Sequence, residues 1–169
     1  MRILSLLFLC VVLIGCASTE SKREAVITPL PATELLGASS ADERDSIMES
    51  VFRHMCQEPL EKDYKVYFLG VGYSHDPTPE FLKRLSELNA PVKPISVGKW
   101  GRFYIYDRLT RERGIAIYIR RITMISGDEA EVEARIDSGG RLSASGPIYS
   151  VTRKNGRWVV TGTRIGWIS

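Results

Sequence analysis

Residues 129–137 carry the pattern that most constrains the fold. Apolar and polar side chains alternate along EAEVEARID, and the apolar set is Ala130, Val132, Ala134 and Ile136. A period of two is typical of a strand with one buried face and one solvent face. Further along the chain, Asn155-Gly156 is the dipeptide that most favours a two-residue hairpin turn. The C-terminal half is therefore predicted to form antiparallel strands.

The region after Val92 as a whole predicts a meander of five or six antiparallel strands. The strand-like runs are residues 102–107, 114–126, 129–137, 148–153 and 157–164. Gly146-Pro147 precedes one of them, and it indicates a bulge or an edge because proline cannot donate to the ladder.

The segment before Val92 predicts two helices with a strand between them. Ser40 and Glu43 form a capping-box pattern, and residues 41–57 then place apolar side chains on one stripe: Ile47, Met48, Val51, Phe52 and Met55. Residues 64–71 are aromatic and β-branched, as in a buried strand. Thr78 and Pro79 suit the start of a second, short helix, which Asn89 and Pro91 end.

The expected fold class is α+β. The amphipathic N-terminal helix and the short second helix pack on a curved antiparallel sheet of about five to six strands. This order resembles the cone-shaped fold of the nuclear transport factor 2-like and cystatin-like groups. The closing hairpin, with Tyr149-x-Val151, a Lys154-Asn155-Gly156 turn and Trp158-Val159-Val160, is similar to the last hairpin of many such domains. An ordinary α+β domain is the alternative.

The N-terminus predicts a lipoprotein signal in residues 1–15. Arg2 precedes an apolar run of 12 residues in which only Ser5 is polar, and a membrane-spanning helix needs about 20. Leu13-Ile14-Gly15-Cys16 then resembles the lipobox of bacterial lipoproteins. That resemblance implies cleavage before Cys16 and acylation of Cys16 with diacylglycerol and a further chain such as palmitate.

The same resemblance predicts where the protein resides. Residues 16–39 read as the lipidated N-terminus and a flexible tether, and residues 40–169 as one domain. Two acyl chains anchor a protein to a bilayer without a spanning helix. Because Ala17 stands where inner-membrane lipoproteins often have Asp, we expect the outer membrane, facing the periplasm. Nucleic acid is not an expected partner there.

The cysteine count leaves Cys56 as the one thiol of the mature chain that carries no lipid, because Cys10 leaves with the signal. Cys56 falls on the apolar side of the first predicted helix, so we expect a buried, inert thiol. An intermolecular disulfide is the alternative.

The sequence contains few residues that suggest a catalytic site. His75-Asp76, with Tyr73 nearby, could present a general base oriented by a carboxylate in the loop before the second helix. The alternative is that Asp76 and Thr78 only form the turn. No nucleophile or phosphate-loop motif accompanies them, so neither a metal site nor a cofactor is expected.

Basic residues concentrate in the C-terminal half. Residues 17–95 contain 9 basic and 13 acidic residues, whereas residues 96–169 contain 13 basic and 7 acidic ones. The candidate ligand-binding residues are Arg111, Arg113, Arg120 and Arg121, and Arg108 adjoins them. Adjacent Arg120 and Arg121 would face opposite sides of a strand unless a bulge intervenes. Ion pairs with Glu112, Glu131 and Glu133 are the alternative to an anionic partner.

We expect the protein to be a lipid-anchored, non-enzymatic binding module of the cell envelope. It would bind a partner protein or a small ligand in the concavity of the sheet, or it would bind an anionic envelope component. The alternative is a small hydrolase or isomerase of the cone-fold type that uses His75, Asp76 and Tyr73. A deep pocket lined by Tyr64, Tyr104 and Trp158 would favour that alternative. The oligomeric state stays open.

Overall fold

The computed structural model describes residues 40–57, 63–138 and 144–168. The predicted signal, Cys16 and the tether lie outside them. Along the chain the elements are α1 (Ala41–Met55), β1 (Val66–Val71), α2 (Pro79–Arg84), β2 (Val92–Pro94), a 3-10 turn (Ile95–Val97), β3 (Gly98–Trp100), β4 (Ile105–Asp107), β5 (Arg113–Met124), β6 (Glu129–Asp137), β7 (Ala144–Lys154) and β8 (Arg157–Ile168). Neither α1 nor α2 has the length and hydropathy that crossing a bilayer requires.

The sheet is mixed and has eight strands. Its main path runs β2-β1-β5-β6-β7-β8, and the small β3–β4 hairpin joins through β5. From β5 to β8 the pairing is antiparallel, as predicted, but β1 is parallel to both β2 and β5. The α+β class is confirmed, whereas the wholly antiparallel sheet of five or six strands is wrong. Alternation shows that a segment is a strand but carries no information about the direction of its neighbour.

The helices cover one face of the sheet. Ser40 caps α1 by accepting a hydrogen bond from the Glu43 N–H at 3.1 Å, as the sequence predicted. The buried stripe of α1 packs against side chains from β1, β5, β6, β7 and β8 in one core. The α2 helix ends earlier than predicted, yet Phe81 and Leu85 still reach this core. Cys56 is 1% exposed, so its predicted burial is confirmed, and that burial raises the pKa of the thiol to about 12.

The opposite face of β1 and β5 is also covered, by the 3-10 turn and the β3–β4 hairpin. Val66 and Phe68 of β1 pack there with Ile95, Ile105, Ala116 and Tyr118. Every residue of β1 is consequently buried, as is common for a strand with parallel neighbours. Towards Arg120 this second core ends and a cavity begins.

Two local predictions about β7 are confirmed. A register shift lies between Gly146 and Pro147, so the proline sits at a bulge. Asn155 and Gly156 have φ of 50° and 76°, the left-handed values that a type I′ hairpin turn requires.

Gly114 permits the close contact between β1 and β5. A Cβ at this position would lie 2.2 Å from the Val66 carbonyl oxygen, which belongs to the backbone of β1. We expect Gly114→Ala to lower the free energy of unfolding by about 2–3 kcal/mol, because the paired strands must separate to admit the methyl group. Urea unfolding followed by circular dichroism measures this change.

Gly127→Ala is the matched control, since a Cβ there meets nothing within 4 Å. Its effect should stay within about 0.5 kcal/mol. Equal stabilities of the two variants would contradict the assigned role of Gly114.

Candidate functional site

A cavity of about 320 Å³ opens on the face of the sheet away from the helices. We call it the Arg120 cavity, and its lining consists of Gly72, Tyr73, Trp100, Tyr118, Arg120, Arg135 and Asp137. The side chains of β5 and β6 that reach it alternate with side chains of the main core. The cavity lies where the β3–β4 hairpin no longer covers the sheet.

A bulge in β5 places Arg121 on this face together with Arg120. Ile119 pairs with Ala134 and Arg121 pairs with Glu133, so Arg120 is the extra residue between them. Both arginines consequently reach the same carboxylate, at 3.6 Å for Arg120 and 3.1 Å for Arg121. The bulge considered from the sequence is thus present, and the ion pairs with Glu133 are present as well.

Arg120 is held in place by Tyr73. The guanidinium lies 4.6 Å from the centre of the Tyr73 ring and donates to the Tyr73 hydroxyl at 2.6 Å. Its Nε–H is buried and has no hydrogen-bond partner among the residues that the structure describes. A buried donor without an acceptor is unfavourable by about 1–3 kcal/mol, and a ligand oxygen at this point would remove that penalty.

The floor of the cavity is polar as well. Arg135 donates to the Asp137 carboxylate at 2.7 Å, and Tyr118 stands across the sheet from Arg135. Burial raises the pKa of the Tyr118 hydroxyl, nearby Asp137 raises it further, and Arg135 partly offsets these effects. Tyr118 is therefore a neutral hydroxyl at physiological pH.

The lining combines planar hydrogen-bonding groups with exposed rings. Trp100 is 46% exposed and Tyr73 is 70% exposed, so both can offer a ring face to a ligand. Each arginine has a carboxylate beside it, Glu133 for Arg120 and Asp137 for Arg135. The cavity therefore suits a small polar molecule with an acceptor oxygen and a flat side better than a densely charged anion.

His75 and Asp76 do not form an acid–base pair in the described chain. The Asp76 carboxylate accepts from the Ser96 backbone N–H at 2.9 Å, and Thr78 caps α2 by accepting from the Phe81 N–H. Within residues 40–57, 63–138 and 144–168, no hydrogen bond or ion pair joins the two side chains. Tyr73 alone of this predicted trio lines the Arg120 cavity.

The three aromatic residues expected around a deep pocket are separated. Tyr64 and Tyr104 line a cavity of about 280 Å³ together with Arg113, whereas Trp158 lies beside α1 with Arg153 over its ring. They do not converge on one site.

Arg111 and Arg113 lie apart from the Arg120 cavity, on the β3–β4 side. Arg111 stacks on Tyr106 at 4.1 Å and Arg113 stacks on Tyr104 at 4.2 Å. Neither forms an ion pair with any residue that the structure describes. The four candidate arginines thus fall into two places with different chemistry.

Five lining residues were not predicted from the sequence: Gly72 and Trp100, and on β5 and β6 Tyr118, Arg135 and Asp137. For the last three, a weak signal exists, because these positions alternate with core residues of β5 and β6 and so belong to the second face. Only the register between the strands brings them beside Arg120.

Comparisons of the chain with protein-family models, with curated proteins and with solved structures find no match. The fold is thus described as two helices packed on a mixed sheet, and the resemblance to the cone fold stays a prediction.

Asp107 builds the turn that carries Arg111. One carboxylate oxygen accepts from the Leu109 and Thr110 N–H groups at 2.6 and 2.8 Å, and the other accepts from Lys93 at 2.8 Å. The Lys93 hydrogen bond, followed by the backbone bonds, lowers the pKa of Asp107 to about 2.

The lowered pKa predicts a pH-dependent contribution to stability. Because the folded-state pKa lies below the unfolded one, the contribution is present at neutral pH and is lost as the pH falls from about 4 to about 2. Asp107→Asn should reduce the loss of stability over this window, since its amide oxygen keeps the turn but carries no charge. Urea unfolding at a series of pH values measures the effect.

Asp107→Ala serves as the comparison, because it removes the turn bonds together with the charge. It should be less stable than Asp107→Asn at neutral pH. An Asp107→Asn variant with the same pH profile as the unchanged chain would contradict the charge argument.

Proposed function

We propose that the protein is a lipid-anchored cell-envelope binding module that takes a small polar ligand in the Arg120 cavity. The observation that carries the proposal is Arg120, whose Nε–H has no hydrogen-bond partner among the described residues and whose side chain lines a cavity flanked by exposed rings. Such a combination of aromatic rings and a few oriented polar groups is typical of ligand sites.

The ligand class follows from the lining. An oxygen acceptor, as in an amide, carboxylate or sugar, would bond to Arg120, and a flat face would lie against Trp100 or Tyr73. A strongly charged anion fits less well, because Glu133 and Asp137 already compensate the two arginines. The expected concavity under the helix is instead filled by core side chains such as Tyr149 and Trp158.

The alternative function, a small hydrolase or isomerase that uses His75 and Asp76, receives no support from a specific contact. Asp76 is engaged by the Ser96 N–H, and neither residue lines the Arg120 cavity.

The anchor predicts a simple labelling result. Cells that express the full chain should incorporate labelled palmitate into it, and the protein should fractionate with the membranes. The Cys16→Ala variant should incorporate none, because its thioether attachment point is gone. Equal incorporation by the variant would show that Cys16 is not the lipidated residue.

The cavity predicts a selective loss of binding on removal of Arg120. A photo-crosslinking amino acid placed at Ser74, an exposed position next to the rim residue Tyr73, should trap the ligand in intact cells, and mass spectrometry identifies the adduct. Arg120→Gln should reduce the adduct roughly tenfold or more, since a hydrogen bond to a charged group contributes about 1.5–3 kcal/mol.

Arg121→Gln is the matched control for the Arg120 variant. Arg121 shares the same Glu133 carboxylate but is exposed and does not line the cavity. Its adduct should persist. Equal adducts in both variants, or no adduct from the unchanged chain, would contradict a ligand site at Arg120.

A further inference from the structure

A second surface, on the outer side of the β3–β4 hairpin, combines aromatic rings with cations that form no ion pair within the described part of the chain. Lys99 stands opposite Tyr106 in register, and Tyr106 stands opposite Arg113, so the three side chains share one face. Arg111 stacks on Tyr106, and the Tyr104 and Tyr106 rings are 5.9 Å apart. We call this set, Lys99, Tyr104, Tyr106, Arg111 and Arg113, the Arg–Tyr surface.

The charge of this region is not neutralised locally. Residues 99–113 contain five basic and two acidic residues, a net charge of +3. One of the acids, Asp107, is buried and bonded to Lys93. No residue in the described ranges forms an ion pair with a cation of the Arg–Tyr surface. Glu112 and Asp63 are the exposed carboxylates nearby.

Stacking on tyrosine rings leaves the guanidinium groups of Arg111 and Arg113 able to bind phosphate. A guanidinium that lies flat on a tyrosine ring keeps its N–H edge available, and that edge matches phosphate oxygens in a bidentate geometry. The ring also restricts the side chain before it binds, which reduces the entropy lost on binding.

Exposed apolar side chains project from the two turns that flank the surface. Phe103 is 62% exposed in the β3–β4 turn and Leu109 is 91% exposed in the β4–β5 turn. Each adjoins an arginine, Arg102 or Arg108, and the Arg102 guanidinium lies 5.0 Å from the Phe103 ring centre. Apolar tips beside cations and tyrosines are the composition that favours a bilayer interface.

We infer that the Arg–Tyr surface docks on an anionic phospholipid bilayer. The cations contact headgroup phosphates while Phe103 and Leu109 enter the interface. This inference rests on the described surface itself. The predicted anchor at Cys16 would raise the local lipid concentration, because about 24 residues precede the domain and reach on the order of 80 Å when extended. That length exceeds the width of a domain of this size, roughly 35 Å.

The test uses the full chain, reconstituted into vesicles, with an environment-sensitive fluorophore on Thr110→Cys at the β4–β5 turn. A second preparation carries the label on Lys154→Cys, an exposed position at the β7–β8 turn. Cys56 is buried and should not react, and acylation is expected to occupy the Cys16 thiol, so the introduced thiol takes the label. One vesicle set contains phosphatidylcholine alone, and in the other phosphatidylglycerol replaces part of it.

We expect a blue shift at position 110 that requires phosphatidylglycerol and weakens as salt rises, and no such shift at position 154. Arg111→Gln with Arg113→Gln should weaken docking roughly thirtyfold, since each cation near an anionic surface contributes on the order of 1 kcal/mol. The matched control removes two exposed charges elsewhere, Lys154→Gln with Arg157→Gln, and should keep the shift at position 110.

Three outcomes would overturn the inference: equal spectra at position 110 in both vesicle sets, equal shifts at positions 110 and 154, or equal losses in the two double variants. Docking by a protein or a free anion predicts the first of these. Flotation distinguishes binding through the acyl anchor from binding through the Arg–Tyr surface. If the surface binds lipid, a chain without acyl groups should float with the phosphatidylglycerol vesicles and not with those of phosphatidylcholine alone. For the acylated chain, the spectrum at position 110 shows whether the surface contacts the bilayer.

Discussion

The parallel pairing of β1 with β5 is the contact on which the rest of the structure depends. Residues 66–71 of β1 lie in continuous register with residues 114–119 of β5, and Gly114 lets the two backbones approach. This pair supplies side chains to both faces of the sheet. The helices α1 and α2 cover one face, while the 3-10 turn and the β3–β4 hairpin cover part of the other. Without β1 in this position neither core would be complete.

The Arg120 cavity lies where the cover formed by the 3-10 turn and the β3–β4 hairpin ends. The hairpin covers Phe68 and Ala116, but not the continuation of the same face through Arg120 and Arg135. Alternation along β5 places Arg120 on this face after Tyr118, and the bulge adds Arg121 beside it. The polar side chains of the lining therefore stand where the cover by the hairpin ends.

The arginines discussed above differ in the side chain that lies against the guanidinium group. Arg120 and Arg121 reach Glu133 across the strand pair, whereas Arg111 and Arg113 stack on tyrosines and keep their charge exposed. A guanidinium beside a carboxylate is partly compensated and can orient a polar ligand, while one on a ring still attracts anions. The same residue type thus suits a polar cavity on one side of the hairpin and a charged surface on the other.

The sequence by itself determined most of the local structure: the Ser40 cap, the stripe of α1, the alternation of β6 and the Asn155-Gly156 turn. Each depends on neighbours only a few residues apart, so composition and period suffice. Only the tertiary structure decided the direction of β1, the strands β2 and β3, and the meeting of Arg120 with Arg135 and Asp137. Those features depend on pairing between distant segments, which the period of a strand does not encode.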